Sequence, residues 1–166
     1  PIGEEQIKKS LKNLLQPEVL SVCERKPRVF RGGIPFLVEA AIEKATDALL
    51  ERNRKFAEQV LEEEDVINQL EIEIDDQGHS LSALGQPMAF DLRLITAILK
   101  MNTDLERMGD HAVNIAERTL VLLKESPLGQ DFHLPEMSRA TLKMVTDALN
   151  SFINGDVVLA RSVLER

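Results

Sequence analysis

An alternating four-three spacing of apolar residues constrains this chain more than any other feature. It runs through the middle of the sequence at seven positions: Leu94, Ile98, Met101, Leu105, Met108, Ala112 and Ile115. Residues at this spacing share one face of an α-helix, and such a face packs nearly parallel to neighbouring helices in coiled coils and bundles. The spacing therefore predicts a long helix over about residues 88–125 in an all-α protein.

Apolar periodicity and helix breakers define the rest of the chain. Asn53 suits the N-cap of the helix that precedes the long one, and Gly85-Gln86-Pro87 separates the two. Residues 16–35 are rich in Pro and Gly, so we interpret them as a linker. The other predicted helices are 4–15, 36–51, 53–84, 136–153 and a last one that begins after Asp156.

An internal repeat organises these helices. The sequence TDAL at residues 46–49 recurs at 146–149, and Ala57, Val60, Leu61 and Glu62 match Ala160, Val163, Leu164 and Glu165. The offset grows from 100 to 103 residues at the turn between two helices, where insertions are tolerated. We therefore predict an antiparallel three-helix bundle repeated in tandem, with the second bundle incomplete.

The repeat divides the chain into three predicted parts. Residues 1–33 are an unplaced N-terminal helix and linker, 34–127 form the first bundle, and 128–166 start the second. Since the second copy lacks its third helix, we expect the natural protein to continue for roughly another 70 residues, or another chain to cover the open face. The start at Pro1 rather than Met also suggests a fragment. The open apolar face predicts a homodimer or larger oligomer.

Composition excludes several classes of function. The net charge of -8 argues against nucleic-acid binding, which requires a cationic face. The single Cys23 excludes an intrachain disulfide and a cysteine-based zinc site. No apolar run is long enough to span a membrane and no signal peptide is evident, so we expect a cytoplasmic protein. A short basic segment at residues 25–31 leaves peripheral membrane association open.

An acidic row on two helices is the candidate site. Glu106 and Asp110 lie one helical turn apart on the long helix, and Glu64, Asn68 and Glu71 form a similar ladder on the preceding one. Paired carboxylates are oxygen ligands for cations such as Fe, Mn, Mg or Zn. A solvated acidic face is the alternative, and from spacing alone the more common one. The row is expected to lie opposite the apolar face.

No motif for catalysis accompanies this row. The chain has no GxSxG, no HExxH and no Gly-rich phosphate loop, so we expect it not to be an enzyme. The Glu-x-x-His pairs of di-iron bundles are also absent. Gly109 inside the long helix indicates close approach of either a ligand or a neighbouring helix.

The same helices resemble the signature of the PhoU family. The resemblance rests on QPMAFDLRLI at residues 86–95, DLERMGDHAVNIA at 104–116 and EDVINQLE at 64–71. It implies two three-helix bundles in tandem and a non-enzymatic negative regulator of phosphate uptake and phosphate-starvation signalling. The partners it implies are the ATPase subunit of the phosphate ABC transporter and a sensor histidine kinase.

The resemblance also implies a metal site. Its matching positions are Glu106 and Asp110, with Glu64 and Asn68 facing them from the second helix. The ions expected are divalent or iron ions (Fe, Zn, Mn, Ni or Mg), and Arg93 and Arg107 are expected to pair with the carboxylates. Bound metal would fix a charged surface for partner docking or membrane approach.

Two alternative functions come from other classes of protein. One is the soluble PhoU-like tail of a sodium–phosphate cotransporter, which the unplaced residues 1–33 leave open. The other is a metal-storage or redox bundle, which the lack of Glu-x-x-His pairs disfavours.

Overall fold

The computed structural model describes residues 33–84, 89–127 and 133–166. These residues form five helices: α1 Ile34–Leu50, α2 Arg54–Leu84, α3 Ala89–Leu122, α4 Leu134–Asn154 and α5 Val157–Leu164. The all-α prediction is confirmed. The predicted helix at 4–15 and most of the predicted linker lie outside the described residues. None of the described helices is long and apolar enough to cross a membrane.

The helix boundaries follow the local signals in the sequence, with one correction. Asn53 caps α2 as predicted, because its Oδ1 accepts a hydrogen bond from the backbone N–H of Lys55 at 3.1 Å. Pro35, however, does not belong to the linker but lies in the first turn of α1. A proline there loses no helical hydrogen bond, and its fixed φ suits the first turn.

Small side chains dominate the core of the bundle formed by α1, α2 and α3. Six fully buried positions in these helices are alanines: Ala41, Ala45, Ala48, Ala57, Ala112 and Ala116. Larger apolar residues fill the space between them, including Val38, Val60, Ile67, Leu70 and Leu105. Small residues at the contact allow helix axes to approach closely. The three helices therefore form a tightly packed bundle.

The buried face of α3 differs in detail from the predicted apolar face. Ile115 is 36% exposed, whereas Asn102, Gly109 and Thr119 are buried. A Cβ on Gly109 would lie 3.4 Å from Cδ1 and 3.5 Å from Cγ2 of Ile67, an ordinary van der Waals contact. The glycine therefore faces the neighbouring helix α2, as the packing interpretation of its position expects, although the space would admit a Cβ.

The fourth and fifth helices are more exposed than the bundle. Val145 and Leu149 of α4 join the core, and the Thr146 hydroxyl donates a hydrogen bond to Glu39 of α1 at 2.7 Å. Val158 and Leu164 of α5 are 80% and 87% exposed. The arrangement of α4, a turn and α5 is the same as that of α1, a turn and α2, as the predicted repeat requires. The repeat itself stays a prediction.

An arginine in the turn after α1 ties that turn to the end of α3. Arg52 has a left-handed backbone, with φ of 54°. Its Nη2 donates to the carbonyl oxygens of Leu122, Leu123 and Glu125 at 3.1, 3.3 and 2.7 Å. The last carbonyls of a helix have no partner within it, and a cation there also interacts favourably with the helix dipole. Arg52 therefore ties the turn between α1 and α2 to the C-terminus of α3 at one end of the bundle.

We predict that Arg52→Ala lowers the free energy of unfolding by about 1–2 kcal/mol, because three carbonyl oxygens lose a charged donor. Urea denaturation measures the change. Arg54→Ala is the matched control, since among the described residues Arg54 forms just an exposed ion pair with Glu58 at 2.9 Å. Its loss should cost about 0.5 kcal/mol or less. Equal losses in the two variants would contradict the capping role.

Candidate acidic site between α2 and α3

Three contacts fix how α2 and α3 lie against each other. Gly109 of α3 packs on Ile67, and Asn102 bonds to residues 71 and 75. Leu99 packs on Gly78, where an added Cβ would lie 2.5 Å from Cδ2 of the leucine. Residue numbers rise along α2 as they fall along α3. The helices are therefore antiparallel, with residue 106 level with residues 70 and 71.

This register sets Glu106 of α3 level with Glu71 of α2, and their i, i+4 neighbours Asp110 and Asp75 lie about one turn away in opposite directions along the interface. We call this row of four carboxylates the acidic cluster. Burial raises the pKa of Glu71, and the charges of Asp75 and Glu106 raise it further. Burial also raises the pKa of Glu106, followed by the charge of Asp110, while Arg107 opposes the shift. Mutual repulsion therefore links the carboxylates within and between the two helices.

A buried amide lies at the same interface. Asn102 is 3% exposed, and its Nδ2 donates to the Glu71 carbonyl oxygen at 3.0 Å and to Oδ1 of Asp75 at 3.2 Å. These bonds hold Asp75 and the α2 backbone against α3. The Oδ1 of Asn102 is buried and accepts no hydrogen bond from the described residues.

The predicted site residues are only partly brought together. Glu106 and Asp110 lie one turn apart on α3 as expected, but on the flank that meets α2 rather than opposite the packed face. Glu71 is the residue whose charge interacts with Glu106. Glu64 lies almost two turns from Glu71 along α2, but the contact of Gly109 with Ile67 sets Asp110 level with residues 66 and 67, between Glu64 and Asn68. Their assignment as ligands stays a prediction.

Sequence reasoning did not include Glu71, Asp75 and Asn102 among the ligands. The spacing of Glu71 and Asp75 is the same i, i+4 signal that singled out Glu106 and Asp110. Nothing in the sequence indicated a role for Asn102. It is a polar residue beside the apolar positions of α3, and its partners on α2 can be identified only once the alignment of the two helices is known. The expected pairing of the arginines with carboxylates is not seen: neither Arg93 nor Arg107 forms an ion pair with any described residue. The charge of Arg107 only opposes the rise in the pKa of Glu106.

The donor atoms of this site are all oxygens. Carboxylate and amide oxygens suit hard cations such as Mg²⁺ and Mn²⁺ better than soft ones, and the unpartnered Oδ1 of Asn102 adds an acceptor. Within the described part of the chain, no three His, Cys, Asp or Glu side chains are arranged around one point. The chemistry of the donors fits a hard cation, and binding would require the carboxylates to change rotamer.

Comparison with known proteins matches this helical arrangement. The PhoU domain family matches residues 36–119, which span α1, α2 and nearly all of α3. The chain belongs to the PhoU family. The match contains both Glu71 and Glu106, so the acidic cluster lies within the PhoU domain.

Individual PhoU proteins extend the comparison. The Phosphate-specific transport system accessory protein PhoU homolog of Aquifex aeolicus is 45% identical over 130 residues, covering 78% of this chain and 59% of that protein. The crystal structure of PhoU from Pseudomonas aeruginosa matches with a TM-score of 0.75 and 38% identity, covering 78% of this chain and 62% of that one. The chain therefore spans about three-fifths of these relatives.

The N-terminal residues give two further matches. A PhoU homolog from Burkholderia sp is 33% identical over 161 residues, or 95% of this chain, which includes most of residues 1–33. The Topoisomerase VI B subunit transducer family matches residues 1–61. The second match overlaps α1, which packs in the PhoU bundle.

Glu71→Gln should stabilise the cation-free protein at neutral pH. The folded-state pKa of Glu71 is raised, so its ionisation costs stability above the unfolded pKa and nothing below it. We expect a gain of a few tenths of a kcal/mol at about pH 7, reduced by solvent screening, and none at about pH 3.5.

Urea denaturation with EDTA at the two pH values measures this difference. Glu62→Gln, which removes an exposed carboxylate from α2, serves as the control for the loss of one charge. A gain in Glu71→Gln that is the same at both pH values would contradict repulsion within the cluster.

Proposed function

We propose that this chain is an accessory protein of a phosphate transport system and a negative regulator of phosphate uptake and phosphate-starvation signalling. The main support is its membership in the PhoU family, since curated relatives at 33–45% identity carry the name phosphate-specific transport system accessory protein. The all-helical bundle gives surfaces for docking. The proposal is of a non-enzymatic adaptor that works in the cytoplasm.

We further propose two protein partners, the ATPase subunit of the phosphate ABC transporter and the sensor histidine kinase. An adaptor of this type would couple the state of the transporter to the kinase by binding both. The charged outer faces of α2 and α3 support docking, because exposed Glu62 and Asp65 on α2 and exposed Arg107 and Arg118 on α3 offer both signs of charge.

A divalent or iron ion at the acidic cluster is part of the proposal. Glu106 would hold it from α3 and Glu71 from α2, with one of Asp110 and Asp75, because these two lie about 13 Å apart along the interface. Glu64 and Asn68 are the ligands predicted from sequence. The ion would neutralise the mutual repulsion of the carboxylates and fix their positions. Oxygen donors favour Mg or Mn over Zn, Fe or Ni. A fixed surface of this kind supports docking to a protein or peripheral association with a membrane.

The regulatory role is tested in a bacterium that lacks its own PhoU gene. We expect the gene encoding this chain to restore repression of a phosphate-starvation reporter in high phosphate, and the tagged protein to retain the transporter ATPase subunit in a pull-down. A frameshifted gene is the control for expression effects. Phosphate-stimulated sodium flux without effect on the reporter would instead favour the cotransporter alternative.

Elemental analysis of the purified protein tests the metal. Wild-type protein reloaded with a divalent ion should hold it in a fixed ratio, and Glu106→Ala with Asp110→Ala should lose it with helicity intact. Glu117→Ala, an exposed carboxylate on the same helix, is the control and should keep its metal. A full load in the double variant would show that α3 does not supply the ligands.

A further inference from the structure

Among the described residues, α1 covers only part of the length of α2 and α3. It has 17 residues, whereas α2 and α3 have 31 and 34. Lys44 of α1 pairs with Glu63 of α2, and in this antiparallel pair the contact sets the first residue of α1 level with about residue 73 of α2. At a rise of about 1.5 Å per residue, α2 continues for about 16 Å beyond that level. We call residues 74–84 of α2 and 92–103 of α3 the α2–α3 extension.

The α2–α3 extension has an apolar face of its own. Leu94 and Ile95 of α3 are only 7% and 6% exposed, yet neither belongs to the core cluster that includes α1. Ile98 follows one turn after Leu94 and is half-buried. The other two described helices pack mainly on α1 and on each other. Since the apolar stripe of a helix pair is stable only when another element lies over it, this face requires a cover that α1 does not supply.

A buried acceptor lies beside this face. Oε1 of Gln77 is buried and accepts no hydrogen bond from the described residues. Gln77 comes 14 residues after Glu63, and at about 100° per residue the two side chains leave α2 on nearly the same side. Gln77 therefore faces the line of α1, past the first residue of that helix. Because buried polar atoms nearly always have a partner, we expect a donor from the chain segment that covers this flank.

The chain segment before α1 has the pattern and the length to cover this face. In the predicted helix at residues 4–15, Ile7, Leu11 and Leu14 share one face at spacings of four and three. A helix of this length spans about 18 Å, close to the distance by which α2 passes α1. Residues 16–32 connect it to α1 and, at up to about 3.3 Å per residue, are long enough for the chain to turn back. The predicted helix can therefore reach the extension and match its length.

Charge favours the flank of the extension that belongs to α2. Glu73 and Asp76 form no ion pair with any described residue. Lys8 and Lys12 lie one turn apart at the edge of the apolar face of the predicted helix. Exposed Arg93 on α3 would repel the same lysines. Electrostatic complementarity therefore orients the predicted helix with its lysines over α2.

We infer that residues 4–15 pack as a helix on the α2–α3 extension, with their apolar face against it and with Lys8 and Lys12 beside Glu73 and Asp76. The occupant is a segment of the same chain rather than a second copy, because the connection to α1 keeps it at high local concentration. It completes the third side of the bundle beyond α1. This inference is independent of the proposed regulatory function and of the proposed cation, whose ligands are other residues.

Hydrogen exchange of the full chain tests the packing. Leu11→Asp places an unpaired charge in the middle of the apolar face, so amide exchange across the α2–α3 extension should become faster by about 10-fold or more. Exchange in residues 57–67 of α2, which pack against α1, should not change. Asn13→Asp adds the same charge outside the apolar face and should leave the extension at the wild-type rate. Wild-type exchange of the extension in Leu11→Asp would overturn the inference.

Zero-length cross-linking of lysines to carboxylates with a carbodiimide distinguishes the occupants. The sample is an equal mixture of unlabelled and isotopically heavy chains, digested after cross-linking and analysed by mass spectrometry. We expect Lys8 or Lys12 joined to Glu73 or Asp76 within chains of one isotope. Cross-linked peptides of mixed isotope would show that a second copy covers the extension, and would overturn the assignment to the same chain.

Charge reversal keeps the inference testable if Leu11→Asp fails to fold. Lys8→Glu with Lys12→Glu should speed exchange of the α2–α3 extension, because the new carboxylates repel those of α2. Adding Glu73→Lys with Asp76→Lys should slow exchange again towards the wild-type rate. Absence of this rescue would overturn the placement of the lysines beside α2.

Discussion

The close packing of small residues between α1, α2 and α3 is the constraint on which the rest of the structure depends. Ala41, Ala45 and Ala48 of α1 and Ala112 and Ala116 of α3 are almost completely buried. Interiors packed at this density resist displacement, so the helices have little freedom to slide or rotate. The side chains at the rim of the α2–α3 interface are held in positions that their own interactions would not select.

The packing of the bundle keeps the carboxylates of the acidic cluster near one another despite their mutual repulsion. Surface charges that repel one another cost only a few tenths of a kcal/mol each, whereas full burial of one Leu or Ile contributes about 1.5–3 kcal/mol. Ile67, Leu70 and Leu105 lie within a turn of the cluster and are almost fully buried. Hydrophobic burial therefore outweighs the repulsion and keeps the carboxylates together. Neutralising these charges would add to stability, which is why the proposed function includes a cation at this row.

Sequence patterns predicted the helices and their ends because those depend on local chemistry. Apolar spacing gave the extent of α3 to within three residues at its C-terminal end, and Asn53 gave the start of α2. The prediction that Pro35 belongs to the linker was wrong, since a proline can equally end a linker or open a helix. Ile115 fits the apolar pattern, yet the buried face turns towards Thr119 and Ala116 instead.

The candidate site was less predictable because it depends on how two helices are aligned. The pairs formed by Glu106 with Asp110 and Glu71 with Asp75 are visible in the sequence, but which α2 carboxylates lie level with Glu106 depends on the contact of Gly109 with Ile67. A shift of α2 by seven residues relative to α3 would place Glu64, rather than Glu71, level with Glu106. Asn102 could not be identified at all without this register, since its role arises only from the α2 atoms that it meets.

Disulfide trapping tests that register most directly. In a Cys23→Ser background, Glu71→Cys with Glu106→Cys should cross-link under mild oxidation, because the two positions are level on adjacent helices. Glu64→Cys with Glu106→Cys should stay reduced, since six residues of offset along a helix correspond to about 9 Å. Non-reducing mass spectrometry reads both results. Cross-linking of the Glu64 pair in preference to the Glu71 pair would contradict the arrangement of α2 and α3 on which this account rests.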